Sequence, residues 1–380
     1  MLTFEIVLFF LSIILLSTSI AGYGSLIKLK NNDNLFTNIF LGFAVISLII
    51  TVIHFFFSIN LLTSFLIFFF VIFIFFLKKR KNFTNIIERK NVYFLLIILL
   101  LIPIYVSQKY HEDFGYYHLP YALAFVEEKI IFGFANIDKP YVYNSIWLNL
   151  KPIFLLEKNF NFLTLPSFIL FLFFIIFLKN KILREATIKL SDYFIIICLF
   201  YFILKFTRIS EFGVDLPGTI FSILSIFYFI KFIESNDNFE KEELFFLNFI
   251  FSIFAILIKL SNIPVILLTL YLYFFDFKNL KLIIFKKKFL LIYLISLVFI
   301  FQQFIYTGCI LFPTSLTCLN VSWFHVDHLN LSKQLELTNK SYSIAKDIYS
   351  PEQYLNNFKW LPFWFKRNLV EITEHLITIF

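Results

Sequence analysis

Charge is scarce in this chain. Asp, Glu, Lys and Arg make up 15% of its 380 residues, against 60% hydrophobic residues, and the long uncharged runs exceed what a soluble core of this length needs. A soluble fold is thereby excluded. Glycine is thin as well, with 8 residues, and no Walker loop, dinucleotide-type glycine pattern or Ser nucleophile elbow occurs. A nucleotide-driven pump and a lipid hydrolase therefore lose their residue support. Cysteine is rarer still, at 3 residues. Near Cys309 and Cys318 stand only His325 and His328, and no second Cys pair completes a four-ligand zinc set. The abundant residue is phenylalanine, 59 of them within 22% aromatics, read here as a compositional bias that fills lipid-facing helices.

The apolar runs predict an all-α polytopic membrane protein of about ten transmembrane helices, with interfacial helices in an outer loop. The expected spans are residues 3–21, 36–58, 61–77, 92–107, 160–178, 192–206, 216–233, 243–259, 262–275 and 289–305. The first lacks a basic leader and a clean small-residue cleavage site, so it reads as a helix rather than a removed signal peptide. Three regions follow. Residues 1–91 are N-terminal transmembrane helices, 92–305 a transmembrane core holding the loop 108–159, and 306–380 an outer loop with a membrane-proximal C-terminal segment.

Lys and Arg set the orientation, because basic residues are retained on the cytoplasmic side. One set of alternate loops carries Lys28 and Lys30, then Lys78 to Lys81 with Arg89 and Lys90, then Lys179, Lys181, Arg184 and Lys189. It continues with Lys231 and Lys241, and with Lys278, Lys281 and Lys286 to Lys288. The N-terminus and the loop 108–159 then lie outside. The net charge of +8 belongs to juxtamembrane loops facing anionic lipid, and no nucleic-acid partner is implied.

On the expected outer side, HEDFGYYHLP (His111 to Pro120) puts an acidic pair directly after an apolar span. A partly desolvated carboxylate beside another has a raised pKa or holds a cation, which suits general-base or metal work. Glu112 and Asp113 are therefore the catalytic candidates and a possible divalent-metal pair. His118 joins them as a catalytic or ligand group if the segment turns into helix there, and otherwise serves as a structural hydrogen-bonder. Three further polar insertions fall on this side: RISEFGVDLPG (Arg208 to Gly218), LIKLSNIP (Leu257 to Pro264) and YTGCILFPTSLTCLNVSWFH (Tyr306 to His325). Together the four read as walls of one cavity. In an oxidising compartment Cys309 and Cys318 can close a small loop as a disulfide, the alternative being two unpaired thiols.

Two segments read as helices lying along the membrane, Tyr117 to Gly133 and Ser145 to Leu156, since both are too short or too charged to span. They would form a platform for an amphiphilic substrate. Residues 326–359 read as a small helical cap or loop, and WLPFWF (Trp360 to Phe365) as an interfacial aromatic belt.

The acidic pair followed by a Tyr-His-Leu-Pro helix start (Glu112, Asp113, Tyr117, His118, Leu119, Pro120) resembles the C-type glycosyltransferase superfamily of integral membrane enzymes. RISEFGVDLPG and YTGCILFPTSLTC are similar to segments of a bacterial branch of that class. The resemblance implies transfer of a sugar from a polyprenyl-phosphate donor to an envelope glycan or lipid acceptor, at the outer face of a bacterial plasma membrane. It makes Asp113 the favoured base, Glu112 its partner or a metal ligand, and Arg208 or Lys259 the candidate for the donor phosphate. Tyr117, Glu211 and Asp215 complete the substrate-binding candidates. The chain departs from the pattern in two places. Its acidic loop follows the fourth expected span, as after an N-terminal addition of three helices, and it stops soon after the last outer loop, as in a shortened member. Two other classes compete: a transporter or flippase of lipid-linked glycans, marked by charges within spans, and a non-catalytic envelope assembly protein, which would leave the acidic pair dispensable.

Overall fold

In the computed structural model the described residues are 2–29, 35–79, 92–107, 113–155, 160–182, 189–312 and 314–379. Every regular element among them is a helix. In chain order these are α1 (Leu2–Gly24), α2 (Leu35–His54), α3 (Leu61–Lys79), α4 (Val92–Val106), α5 (Leu119–Glu127), α6 (Ile146–Leu150), α7 (Leu165–Ile182) and α8 (Leu190–Leu204). There follow α9 (Asp215–Glu234), α10 (Asn238–Ile258), α11 (Ile266–Phe275), α12 (Phe277–Leu280), α13 (Leu290–Thr307), α14 (His328–Asn339), α15 (Pro351–Leu355) and α16 (Leu361–Ile379).

Among the described residues four helices are long and apolar enough to cross a membrane: Leu35–His54, Phe162–Ile182, Asp215–Glu234 and Lys287–Thr307. A fifth candidate is the pair Leu260–Phe275 and Phe277–Phe285, bent by 95°. That is fewer than the ten expected spans, for local reasons. α8 has 15 residues and α4 also has 15, with Pro103 inside, both short of the roughly 20 that a bilayer core asks for. α10 has 21 residues, but Glu240, Lys241, Glu242 and Glu243 occupy its first turns and leave a shorter apolar part.

The contacts divide the chain into two units. The first comprises Met1–Ile130 and Ser145–Phe299 and is built around α2, where Ile39, Phe40, Leu41, Phe43 and Ala44 are completely buried. α1 lies against α2 so closely that glycine is required. A Cβ on Gly42 would sit 1.9 Å from the Ile20 carbonyl oxygen, and one on Gly24 would sit 1.7 Å from that of Asn38. Small residues permit this kind of backbone approach between membrane helices. Elsewhere phenylalanine fills the space between helices. Phe40 meets Phe177 and Phe251 edge-on at 5.7 and 6.4 Å, and Phe221 meets Phe254 at 4.7 Å. The assignment of phenylalanine to lipid-facing positions is thus corrected: Phe56, Phe69 and Phe274 are outward, but much of the interior is ring on ring.

A closed polar cluster ties α9, α10 and α11. The Ser225 and Ser252 hydroxyls are 2.6 Å apart, Ser252 and Thr269 are 2.9 Å apart, Thr269 donates to Asn248 Oδ1 (2.8 Å), and Asn248 Nδ2 donates to Ser225. Hydrogen bonds of this kind hold membrane helices together without a hydrophobic drive between them. At one end of the unit the expected cytoplasmic loops gather. The Ser191 amide and hydroxyl both donate to Glu234, each at 2.8 Å. Lys286 and Lys288 reach Glu242 at 2.5 and 2.9 Å.

The second unit comprises Ile131–Asn144 and Ile300–Phe380. Gly133 adopts φ 68°, and a Cβ there would lie 2.1 Å from the Trp323 carbonyl oxygen. Asn136 bridges the same strap, donating to Trp323 O (2.7 Å) and accepting from the His325 amide (3.1 Å). Cys309 and Cys318 are joined by a disulfide. Residues 328–355 form a helical cap in which the Tyr354 hydroxyl donates to Lys340 O at 2.6 Å.

Candidate functional site

Asp113 stands immediately before a π-helical turn, Phe114–His118, that runs straight into α5 with Pro120 in its first turn. Proline suits that position because the missing N–H would have no helical partner there. The aspartate is partly exposed. Glu112 lies outside the described residues, so the acidic pair is described through Asp113 alone. His118 is buried, its ring 4.1 Å from that of the partly exposed Tyr117.

The hairpin between α8 and α9 begins with a 3-10 turn, Phe206–Ser210, which carries Arg208. Glu211 follows and Asp215 opens α9, a favourable place for a carboxylate because the helix N-terminus is its positive end. Phe212, between them, turns inward and its ring lies 3.9 Å from that of Phe114. Both rings share an apolar cluster with Ala122, Leu155 and Leu163. The acidic segment and the arginine hairpin, 95 residues apart in sequence, are therefore in direct contact.

The third insertion joins through charge. Lys259 and Asp215 form a 2.5 Å ion pair in which both side chains are close to half exposed, a setting where such a pair contributes at most about 1 kcal/mol. Asn262 is also close, its Nδ2 2.9 Å from where a Gly218 Cβ would sit. Two expected phosphate-facing or substrate-facing groups thus satisfy one another. Arg208 makes no ion pair among the described residues. The fourth insertion, Tyr306 to His325, belongs to the second unit.

The expected surface helix at Ser145 to Leu156 is something else. Ser145 caps α6, accepting from the Trp147 amide while donating to Ile258 O at 2.7 Å. The whole segment through Leu155 is enclosed by protein. Trp147 is fully buried against Phe43 at 5.2 Å. Asn149, also fully buried, accepts from the Tyr121 hydroxyl (2.7 Å) and donates to Thr51 (3.1 Å). With its one polar side chain, Asn149, hydrogen-bonded inside the protein, the short helix is buried rather than interfacial, and it forms the floor beneath α5.

Lys151, 1% exposed, is the residue that sequence reasoning missed. Its ammonium donates to the Phe212 carbonyl and stands 6.0 Å from the Phe212 ring centre. Burial pulls its pKa from 10.5 down to about 7. The signal was legible: one lysine in the otherwise uncharged run IWLNLKPIF. α5 is pinned at its far end by His54, whose ring stacks on Phe125 at 3.5 Å and whose Nε2 lies 3.2 Å from Glu128 O.

The site thus offers a partly exposed carboxylate, a guanidinium on the hairpin that touches its segment and a buried ammonium beneath. A carboxylate so placed can accept a hydroxyl proton, and cations can offset charge developing on an anionic leaving group. Among the described residues no group of three or more His, Cys, Asp or Glu is arranged to hold a metal ion.

Among the described residues every regular element is a helix, four helices are long and apolar enough to cross a membrane, and polar groups gather at one helix end. The chain belongs to the family described as "Domain of unknown function (DUF8201)", whose model matches residues 1–380. No curated protein matches the chain, and no solved structure does.

Proposed function

We propose that this protein is a membrane glycosyltransferase of the C-type architecture, moving a sugar from a polyprenyl-phosphate carrier to an envelope glycan or lipid acceptor at the outer face of a bacterial plasma membrane. In this reading α1, α3, α4, α8 and α10 also cross the bilayer, which with the four long helices and the bent pair makes about ten spans. Asp113 deprotonates the acceptor hydroxyl, whose oxygen bonds to the anomeric carbon of the sugar as that carbon's bond to the carrier phosphate breaks, and Arg208 offsets the charge on the departing phosphate. Glu112 tunes Asp113 or shares a divalent cation with it, and His118 and Tyr117 line the acceptor side. Lys259 and Asp215 hold the mouth of the hairpin together.

The observation that carries the reading is the Phe114–Phe212 contact, 3.9 Å between ring centres, because it brings a carboxylate segment and a cation segment to one place at the end of an apolar bundle. A carrier would instead place charge along its spans, whereas the cluster joining α9, α10 and α11 is made of uncharged Ser, Asn and Thr.

The test is Asp113→Asn, assayed for transfer from a panel of polyprenyl-phosphate sugars, with folding checked by detergent chromatography. The expected outcome is loss of transfer with an unchanged elution profile, since the substitution keeps shape and removes charge. Glu112→Gln should weaken transfer less if Glu112 only tunes its neighbour, and equally if both hold one metal. Full activity in Asp113→Asn would remove the base and with it the enzyme reading.

A further inference from the structure

The 95° break after α11 turns the chain sideways at the expected cytoplasmic end of an apolar helix, and the segment 277–289 has two dissimilar faces. One face is anchored. Leu280 and Phe289 are buried, Phe289 lies 5.3 Å from the Phe246 ring, and Lys286 and Lys288 pair with Glu242. The Tyr293 hydroxyl donates to Ile284 O at 3.0 Å, and Asn279 donates to Asp276 at 2.7 Å. These contacts hold the turn in place.

The other face is open. Leu282 is 71% and Phe285 78% exposed, continuing from Phe274 and Phe275 at the end of α11. Between them Lys278, Lys281 and Lys287 are exposed and make no ion pair among the described residues. Exposed large apolar side chains interleaved with unpaired lysines, on a segment running off the end of an apolar helix, match a bilayer interface. The apolar groups enter the acyl boundary while the ammonium groups stay at headgroup level.

We infer that residues 277–289 form an interfacial elbow that binds anionic phospholipid, with Lys278, Lys281 and Lys287 taking headgroup phosphates and Leu282 and Phe285 inserted beside them. The occupant is a membrane leaflet rather than a protein, because the three cations have no acidic counterpart on the segment: Glu242 is taken by Lys286 and Lys288, and Asp276 accepts from Asn279. The inference rests on the membrane-spanning reading of the chain and is independent of the transferase reading.

The experiment uses the full chain in nanodiscs. Leu282→Cys provides a single reactive thiol, since Cys198 is buried and Cys309 and Cys318 are bonded. A bimane label there should be quenched by lipid-borne nitroxide and should emit to the blue. Phosphatidylglycerol retained from a mixed phosphatidylcholine bilayer, measured by native mass spectrometry, should fall in Lys278→Gln/Lys281→Gln/Lys287→Gln by up to about fivefold per lysine removed. The corresponding triple arginine variant should retain it. A label that stays water-exposed, or lipid retention unchanged in the glutamine variant, overturns the proposal. A blue-shifted label that lipid-borne nitroxide does not quench means a protein occupant, which overturns it too.

Discussion

Two connecting segments of similar make-up end in opposite environments. SIWLNLKPIFL (145–155) and FKNLKLIIFKKKF (277–289) are both largely apolar, both contain lysine and both join longer helices, yet the first is enclosed and the second displays Leu282 and Phe285. The difference is the number of charges to be satisfied. One ammonium can be buried when a backbone carbonyl receives it, as Phe212 does for Lys151. Five cannot, and the structure buries none of the five: two are drawn to Glu242 and three are left at the surface. Apolar content alone does not decide whether a loop plugs a bundle or lies on a membrane. The unmatched charge does.

The comparison is broken most forcefully at Trp147. Trp147→Ala should cost about 3–5 kcal/mol, the range for emptying a well-packed aromatic site, read as a lowered midpoint of thermal unfolding in detergent. If the midpoint hardly moves, the segment is not the floor of the site.

Lys151 gives a pH-dependent effect. Its folded-state pKa of about 7 lies below the ordinary 10.5, so between those values the unfolded chain holds a proton that the folded chain has shed. Stability should therefore rise from about pH 7 toward pH 10 and be flat below about 7. Lys151→Met should remove that rise and leave neutral-pH stability at or above wild type, since an apolar group of similar volume replaces a buried charge. Parallel pH profiles for the two proteins would show that Lys151 is solvated. At the elbow, Leu282→Ala should change stability by less than about 0.5 kcal/mol, as expected of an exposed side chain. A loss comparable with that at Trp147 would mean the elbow is buried.

Much of this was legible in the sequence. Apolar runs located the helices. The lysine bias grouped loops that the structure also brings together, as in the contacts of Ser191 with Glu234 and of Lys286 with Glu242. Three things were not legible. Phenylalanine packs both inward and outward, because ring-on-ring contact and lipid contact ask for the same residue. The burial of α6 depends on which helices surround it, which local composition does not encode. The pairing of Lys259 with Asp215 depends on two turns 44 residues apart meeting at one end. Lys151 could have been noticed as one charge in an apolar run, but its carbonyl partner is 61 residues away.

The central claim is that the segment beginning at Asp113 and the elbow at 277–289 face opposite sides of the membrane. It is tested most directly by labelling two single-cysteine variants with a membrane-impermeant maleimide in intact cells. Gly115, exposed and with open space around its Cβ position, is substituted in one variant, and the exposed Lys281 in the other. The account predicts that Gly115→Cys is labelled in intact cells and Lys281→Cys only after permeabilisation. Labelling of both from the same side would contradict it and dissolve the outer site.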